Sequence, residues 1–409
     1  MLSFNPNRIL PTLALLLSWS LLIACGDSNN SSSNTGGTTP IPGSNQPGNT
    51  GGVGSISNAT APMQTRFLYG TSGESISGGR VEADGRITAL NMPTDMLSGN
   101  IGFLPGTGGL VTSLATDSQG RFLYAVSVQT ASFGVPIGNN GLSAFRIDRT
   151  TGALTMVTGS PFPMSTRGGD VVVAGGDKFV ITDSGGTLTV YSIDQSTGGL
   201  TKVSSISGLG DRMVATWDGQ FVIGEAPNGP VASHKVGSDG TLTEVSRVEV
   251  QNRGRLFLSY SGKYLYSSGN DGITVLSVNP AGQLLSVNSA GQLAITQNNF
   301  ANWRIVSTTR DDKFAFLATA SSNLNAGVLQ SASVDPATGA IVSLIGTPIQ
   351  FATGNFPNQV TTSFDGKFVF VALSGSPLQT FTIQFDGTLR AGPVASGPFQ
   401  SPEFFIQVP

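Results

Sequence analysis

Cysteine is almost absent from this chain of 409 residues: Cys25 is the only one, so no disulfide can form within the chain. Histidine is equally scarce, with His234 alone. One histidine and one cysteine exclude a His/Cys zinc cluster, and no Ser/His/Asp triad is recognisable from spacing. Charge is sparse as well, with 11% charged residues and a formal net charge of −3. Without a basic stripe or an overall positive field, nucleic acid is not expected as a partner. Gly106-Thr107-Gly108-Gly109 lacks the Lys-Ser/Thr of a phosphate loop and is read as a plain loop. The Asp-Gly pairs are lone turn residues without calcium-loop spacing, so neither a metal nor a cofactor is expected. Sustained helical periodicity is missing after the first 24 residues, which leaves an all-β chain as the expectation.

What the chain does have is a repeat. Asp365-Gly366-Lys367-Phe368-Val369-Phe370 is one of seven copies of a turn followed by an aromatic and β-branched run. The lead aromatics are Phe67, Phe122, Phe179, Phe221, Tyr264, Phe314 and Phe368, separated by 42 to 57 residues. Spacing of this order is that of propeller blades, and seven copies predict seven blades. In the last repeat, Gln359 to Ser363 is predicted as the first strand and Lys367 to Leu373 as the second. Leu378 to Phe385 and Thr388 to Val394 follow as the third and fourth. A glycine turn before the fourth strand recurs at Gly85, Gly152, Gly198, Gly240, Gly282, Gly339 and Gly387, where positive φ suits a tight hairpin.

The first repeat opens directly on Arg66-Phe67-Leu68-Tyr69, so it lacks a first strand, and Ser401 to Val408 reads as that missing strand. The prediction is a seven-bladed β-propeller of four-stranded antiparallel blades, closed by the C-terminal strand joining the N-terminal blade. If each first strand runs down, both turns of a blade lie on the lower face. The long connections near 91–110, 127–141, 158–170, 318–328 and 346–358 then lie on the upper face. Variable loops on a rigid scaffold make the upper face the candidate for function.

The N-terminal region reads as an address. Arg8 precedes an apolar run from Ile9 to Ala24, the layout of a secretory signal, too short for a good membrane span. Its end, Leu22-Ile23-Ala24-Cys25, resembles the lipobox of bacterial lipoproteins. The resemblance implies cleavage before Cys25 and lipidation of its thiol, the alternative being an ordinary signal with a buried cysteine. Gly26, rather than aspartate, then implies the outer membrane of a Gram-negative envelope. Residues 26–62 are Ser, Asn, Gly, Thr and Pro with Asp27 as the one charge, a composition for a flexible tether spanning roughly 30–35 Å. The expected division is 1–24 signal peptide, 25–62 lipidated cysteine and tether, and 63–409 propeller, acting as a monomer held to the membrane by its lipid.

Over about residues 63–409 the repeat resembles the lactonase-like seven-bladed propellers, which include phosphogluconolactonase-type enzymes. Arg212 with Trp217-Asp218-Gly219-Gln220-Phe221 and Gly224-Glu225 is the nearest match to that family's Pro-Arg-His, Pro-Asp-Gly-Lys and Asn-Glu elements. The chain departs from it where the family has histidine after arginine: Met213, Leu256 and Ile305 stand there.

Alignment of the first strands places Ser113, Asp170, Arg212, Arg255, Arg304, Gln359 and Glu403 near the upper mouth of the central channel, with Glu225 on the same face. A guanidinium fork suits a carboxylate or phosphate. One reading is a pocket for an anion or sugar acid lined by Arg212, Arg255 and Arg304, with Glu225 as base toward a lactone. The other is that these arginines are solvated, or pair with Asp170, Glu225 and Glu403 and stitch neighbouring blades. Trp303, with Phe300 near it, could stack on a sugar ring or pack under its loop. His234 is assigned to packing. Two functions follow: a ligand-binding or interaction module of the envelope, facing a small anionic or sugar-like ligand, a polysaccharide or a protein, or a lactonase-like hydrolase.

Overall fold

The computed structural model describes residues 66–72, 75–90, 110–128, 130–132, 135–137, 140–164, 168–184, 186–207, 212–226, 229–250, 254–269, 272–287, 305–321, 325–394 and 404–408. Among them every regular element is a β-strand, and seven antiparallel sheets follow one another along the chain. No helix among the described residues is long and apolar enough to cross a membrane.

Blade seven shows the plan: Pro357–Thr362, Phe368–Leu373, Ser376–Ile383 and Leu389–Val394 pair in order from the inside outward. The predicted strands of this repeat therefore hold to within two or three residues. Blade one closes as expected. Its innermost strand is Phe404–Val408, paired antiparallel with Arg66–Ser72, with Phe67 opposite Val408 and Thr71 opposite Phe404. The innermost strands touch in sequence around the ring, the C-terminal one between those of blades seven and two. Gln359 of blade seven fastens the seam, its amide donating to the Phe405 carbonyl at 2.8 Å and accepting from the Phe405 N–H at 2.6 Å. Gln407 returns a bond to the Thr362 carbonyl at 2.8 Å.

The core lies between blades rather than at one centre, because each blade is apolar on both faces. One cluster joins blades one and two through Phe67, Leu114, Phe145 and Ile406, and another joins blades seven and one through Leu68, Phe370 and Phe405. Burying each such aromatic contributes about 1.5–3 kcal/mol.

The lead aromatics and the turn glycines are two halves of one contact. Gly85, in the last turn of blade one, lies on the ring of Phe368 in blade seven. The same relation links Gly152 to Phe67, Gly198 to Phe122, Gly240 to Phe179, Gly282 to Phe221, Gly339 to Tyr264 and Gly387 to Phe314. In each pair a Cβ on the glycine would come within 2.3–2.9 Å of the ring. At Gly339 the requirement is double, since its φ is 72° and a Cβ would meet Tyr264 at 2.4 Å. Two tyrosines placed two residues after a lead aromatic add a bond: Tyr69 donates to the Gly152 carbonyl at 2.6 Å and Tyr266 to that of Gly339 at 2.9 Å.

The upper face holds more strand than the sequence suggests. Segments expected as loop in blade six continue its strands Phe314–Ser321, Ala326–Val334 and Ile341–Gln350, with Ser321 opposite Ala326 and Val328 opposite Gln350. Blade two carries an extra hairpin, Thr130–Ser132 with Val135–Ile137.

Candidate functional site

The upper end of the seam between blades three and four gathers three of the predicted residues. Asp170 comes from the first strand of blade three, Gly168–Ala174; Glu225 ends the second strand of blade four, Phe221–Glu225. Arg212 immediately precedes the first strand of that blade, Met213–Ala215. Its Nη1 donates to Glu225 Oε2 at 3.2 Å, with 32% of the arginine side chain exposed against 4% of the glutamate. Asp170, fully buried, accepts the Met213 N–H through Oδ2 at 2.9 Å.

Arg212 has φ of 78°, in the left-handed region that glycine fills at little cost and other residues avoid. Two buried carboxylates hold this conformation. Asp170 ties down the amide that follows, Glu225 takes the guanidinium, and the Glu225 N–H donates to the Arg212 carbonyl at 3.3 Å.

Arg255 lies at the same level in blade five. Its Nη1 donates to the Asn358 carbonyl of blade seven at 2.8 Å, so it reaches past blade six at the channel mouth. Ser113 and Gln359 serve as seams: Ser113 Oγ accepts the Val171 N–H at 3.2 Å, and Gln359 clasps Phe405. Arg304, Trp303 and Glu403, together with Cys25 and the segments around it, lie outside the described residues.

At two positions where the resemblance places histidines, Met213 and Leu256 are buried between blades, Met213 beside Val172 and Val222 and Leu256 beside Val214. His234 is also buried, on the third strand of blade four and away from the mouth. Its Nε2 is 3.8 Å from Glu244 Oε2, and burial holds its pKa below the ordinary value. Among the described residues no group of three His, Cys, Asp or Glu could hold a metal.

The lower mouth is aromatic. Trp217 Nε1 donates to the Ser259 carbonyl at 2.9 Å, and Tyr260 lies 6.4 Å from the Trp217 ring. The Tyr260 hydroxyl crosses from blade five to the Phe364 carbonyl of blade seven at 2.7 Å. In the sequence Trp217 stands out only within the match to the resembling family, and Tyr260 is not singled out; an aromatic just after a first strand is the available signal.

Among solved structures the chain is similar to a "putative 6-phosphogluconolactonase" from Bacteroides uniformis, at 18% identity and a TM-score of 0.64, covering 84% of this chain and 99% of that one. A second protein of that description, from Bacteroides fragilis, has 17% identity and a TM-score of 0.65, covering 86% and 100%. A periplasmic gluconolactonase from Pseudomonas aeruginosa has 16% identity and a TM-score of 0.62, covering 84% and 99%. At these identities the likeness is one of fold. No family model matches the sequence. No curated protein matches it either. The fold is thus that of a seven-bladed propeller of the shape seen in these three proteins, with a half-buried arginine held between two buried carboxylates at its upper rim.

Proposed function

We propose that the upper mouth between blades three and four binds a small sugar acid or its lactone. In the same reading, the propeller presents this site outside the cytoplasm, as a lipid-anchored binding module of the cell envelope. Arg212 carries the reading. A non-glycine residue at φ 78° costs about 1–3 kcal/mol. Packing alone asks for glycine there, so a seam that keeps arginine and braces it with two buried carboxylates has a use for the guanidinium. Arg255 supplies a second fork at the same rim, and two forks with an adjacent carboxylate suit a ligand rich in hydroxyls and carrying a carboxylate or ester carbonyl. The descriptions of the similar structures, two as a "putative 6-phosphogluconolactonase" and one as a gluconolactonase, favour the same ligand class. The anchor rests on Leu22-Ile23-Ala24-Cys25, with residues 26–62 as tether and the outer membrane as address.

The pair at 3.2 Å favours a second reading, hydrolysis of the bound lactone. Arg212 would turn from Glu225 to the lactone carbonyl, leaving the carboxylate to take a proton from the attacking water. The ring C–O bond then breaks, the departing alkoxide receives that proton, and a sugar acid results. Met213 and Leu256, where the resembling family has histidines, leave this work to Glu225 alone.

The test is thermal melting of the full-length chain with glucono-δ-lactone, gluconate and 6-phosphogluconate, with lactone hydrolysis followed in parallel. Binding raises the melting temperature by roughly 2–5 °C at about a hundred times Kd, and Arg255→Ala removes the rise. Turnover that disappears in Glu225→Gln makes the protein a lactonase. No shift and no turnover with any of the three rejects the proposed ligand class.

A further inference from the structure

Blade two departs from the repeat on its outer side. Its fourth strand is broken: Leu154–Met156 pairs with the lower half of the third strand, Gly141–Ile147, and the chain then swings out through residues 157–160. It returns as Phe162–Pro163, with Phe162 opposite Leu142 and Pro163 opposite Gly141. Ser160 occupies the break, its hydroxyl accepting the Ala144 N–H at 2.9 Å.

The displaced return leaves a cavity of about 270 Å³ against blade three. Phe162, Pro163 and Met164 wall it on one side and Leu200 on the other, with Thr189, Tyr191 and Lys202 as its polar lining. Tyr191 and Lys202 are directly opposite one another on the third and fourth strands of blade three, so phenol and ammonium sit side by side. Tyr191 and Thr189 are each 8% exposed, and burial pushes the Tyr191 phenol above its ordinary pKa. Among the described residues neither hydroxyl, nor the Lys202 ammonium, has a hydrogen-bond or ion-pair partner. Of the other tyrosines, Tyr69, Tyr260, Tyr264 and Tyr266 each donate to a main-chain carbonyl, at 2.6, 2.7, 2.8 and 2.9 Å, while the Tyr124 hydroxyl also lacks a hydrogen-bond partner among the described residues but is sealed in the core. A hydroxyl that faces an open cavity without a protein partner is available to a ligand.

We propose that this cavity between blades two and three is a second site, independent of the channel mouth, for a small aromatic carboxylate. Its volume lies just below the usual range of ligand pockets, about 300–1,000 Å³, and so admits a ring rather than an oligosaccharide. The walls are apolar and aromatic with one thioether, surroundings that favour a flat ring. The carboxylate meets Lys202 and the two hydroxyls, and among the described residues no acidic one lines the cavity to repel it.

Ligand-observed NMR and calorimetry on the full-length chain, with benzoate and 1-naphthoate as probes, test the site. Both probes bind, while benzyl alcohol binds at least about tenfold more weakly because it lacks the charge. Lys202→Met weakens binding about 5- to 10-fold and Lys202→Arg restores it; Tyr191→Phe, which removes one oxygen and keeps the packing, weakens it several-fold. The channel variant Arg212→Gly with Glu225→Gln leaves benzoate binding unchanged, which separates this site from the rim. The proposal is overturned by no binding of either probe at ~10 mM. It is overturned equally by binding that Lys202→Met and Tyr191→Phe leave intact, by binding lost in the channel variant, or by octanoate binding more tightly than both aromatic acids.

Discussion

The two faces of this propeller are built by different rules. On the lower face one device is used seven times: a glycine at the last turn of a blade lies on the lead aromatic of the blade before it. The left-handed conformation of these glycines serves the turn and the contact together. On the upper face no such device recurs. There Arg212 adopts a left-handed conformation without being glycine, blade six extends its strands, and blade two adds a hairpin. The lower face has non-glycine left-handed residues too, Asp177 at φ 64° and Asp312 at φ 51°, but they sit in its turns, whereas Arg212 stands at the candidate site.

Breaking the closure should have the largest effect. Removing residues 404–408 takes away the innermost strand of blade one with buried Phe405, Ile406 and Val408, and leaves Gln359 without its clasp. The loss is comparable to the whole stability of a domain, about 5–15 kcal/mol, and circular dichroism should show no cooperative melt above room temperature. A melt within a few degrees of the intact chain would show that the ring does not depend on this strand.

Next in size is the glycine contact. Gly339→Ala adds left-handed strain of about 1–2 kcal/mol to a clash with Tyr264, for a total of about 2–5 kcal/mol by denaturant unfolding. Gly354, with φ of 85° and nothing within 4 Å of where a Cβ would stand, isolates the strain, so Gly354→Ala should cost only about 1–2 kcal/mol. Equal costs would mean that the ring contact adds nothing to the turn.

Smaller still is the tyrosine bond. Tyr266→Phe removes the bond to the Gly339 carbonyl and should cost about 1–2 kcal/mol, whereas Tyr124→Phe, at the matching place in blade two, should be neutral or stabilising. The Tyr124 hydroxyl is buried and has no hydrogen-bond partner among the described residues.

The smallest effect is on pH dependence. The Ser196 hydroxyl, followed by the N–H groups of Ser196 and Thr197, holds the Asp194 carboxyl down at about 2. Its folded pKa lies below the unfolded value, so its contribution is present above about pH 4 and is lost as the pH falls toward 2. Asp194→Asn should lower the melting temperature slightly at pH 7, and the difference from the unmodified chain should shrink to nothing as the pH falls from about 4 to 2. An unchanged acid slope would show that this turn has no part in acid stability.

How legible these features are follows from where their causes lie. The seven aromatics and seven glycines are visible in the sequence because each is local to its own turn, and the missing first strand points to Phe404–Val408. That the glycines and aromatics meet is not visible: Gly339 and Tyr264 belong to different blades, and only ring geometry brings them together. At the rim, residue type and alignment single out Arg212, Glu225 and Asp170. They do not reveal the left-handed backbone of Arg212, because nothing in a side chain other than glycine announces it. Nor do they show that Asp170 holds a main-chain amide, since backbone donors have no sequence signature. Polar residues such as Ser113 and Gln359, aligned with the arginines, join blades instead.

The contrast between the faces is tested most directly by calorimetric titration of gluconate and glucono-δ-lactone into three forms of the full-length chain: unmodified, Arg212→Gly with Glu225→Gln, and Gly339→Ala at a temperature where it remains folded. The expected result is binding to the unmodified chain and to Gly339→Ala with the same affinity, and none to the rim variant, whose fold is kept because glycine suits φ 78° and the glutamine removes the unpaired charge. Binding that survives in the rim variant, or that is lost in Gly339→Ala while its melt shows a folded protein, would contradict the division of the molecule into a structural lower face and a functional upper one.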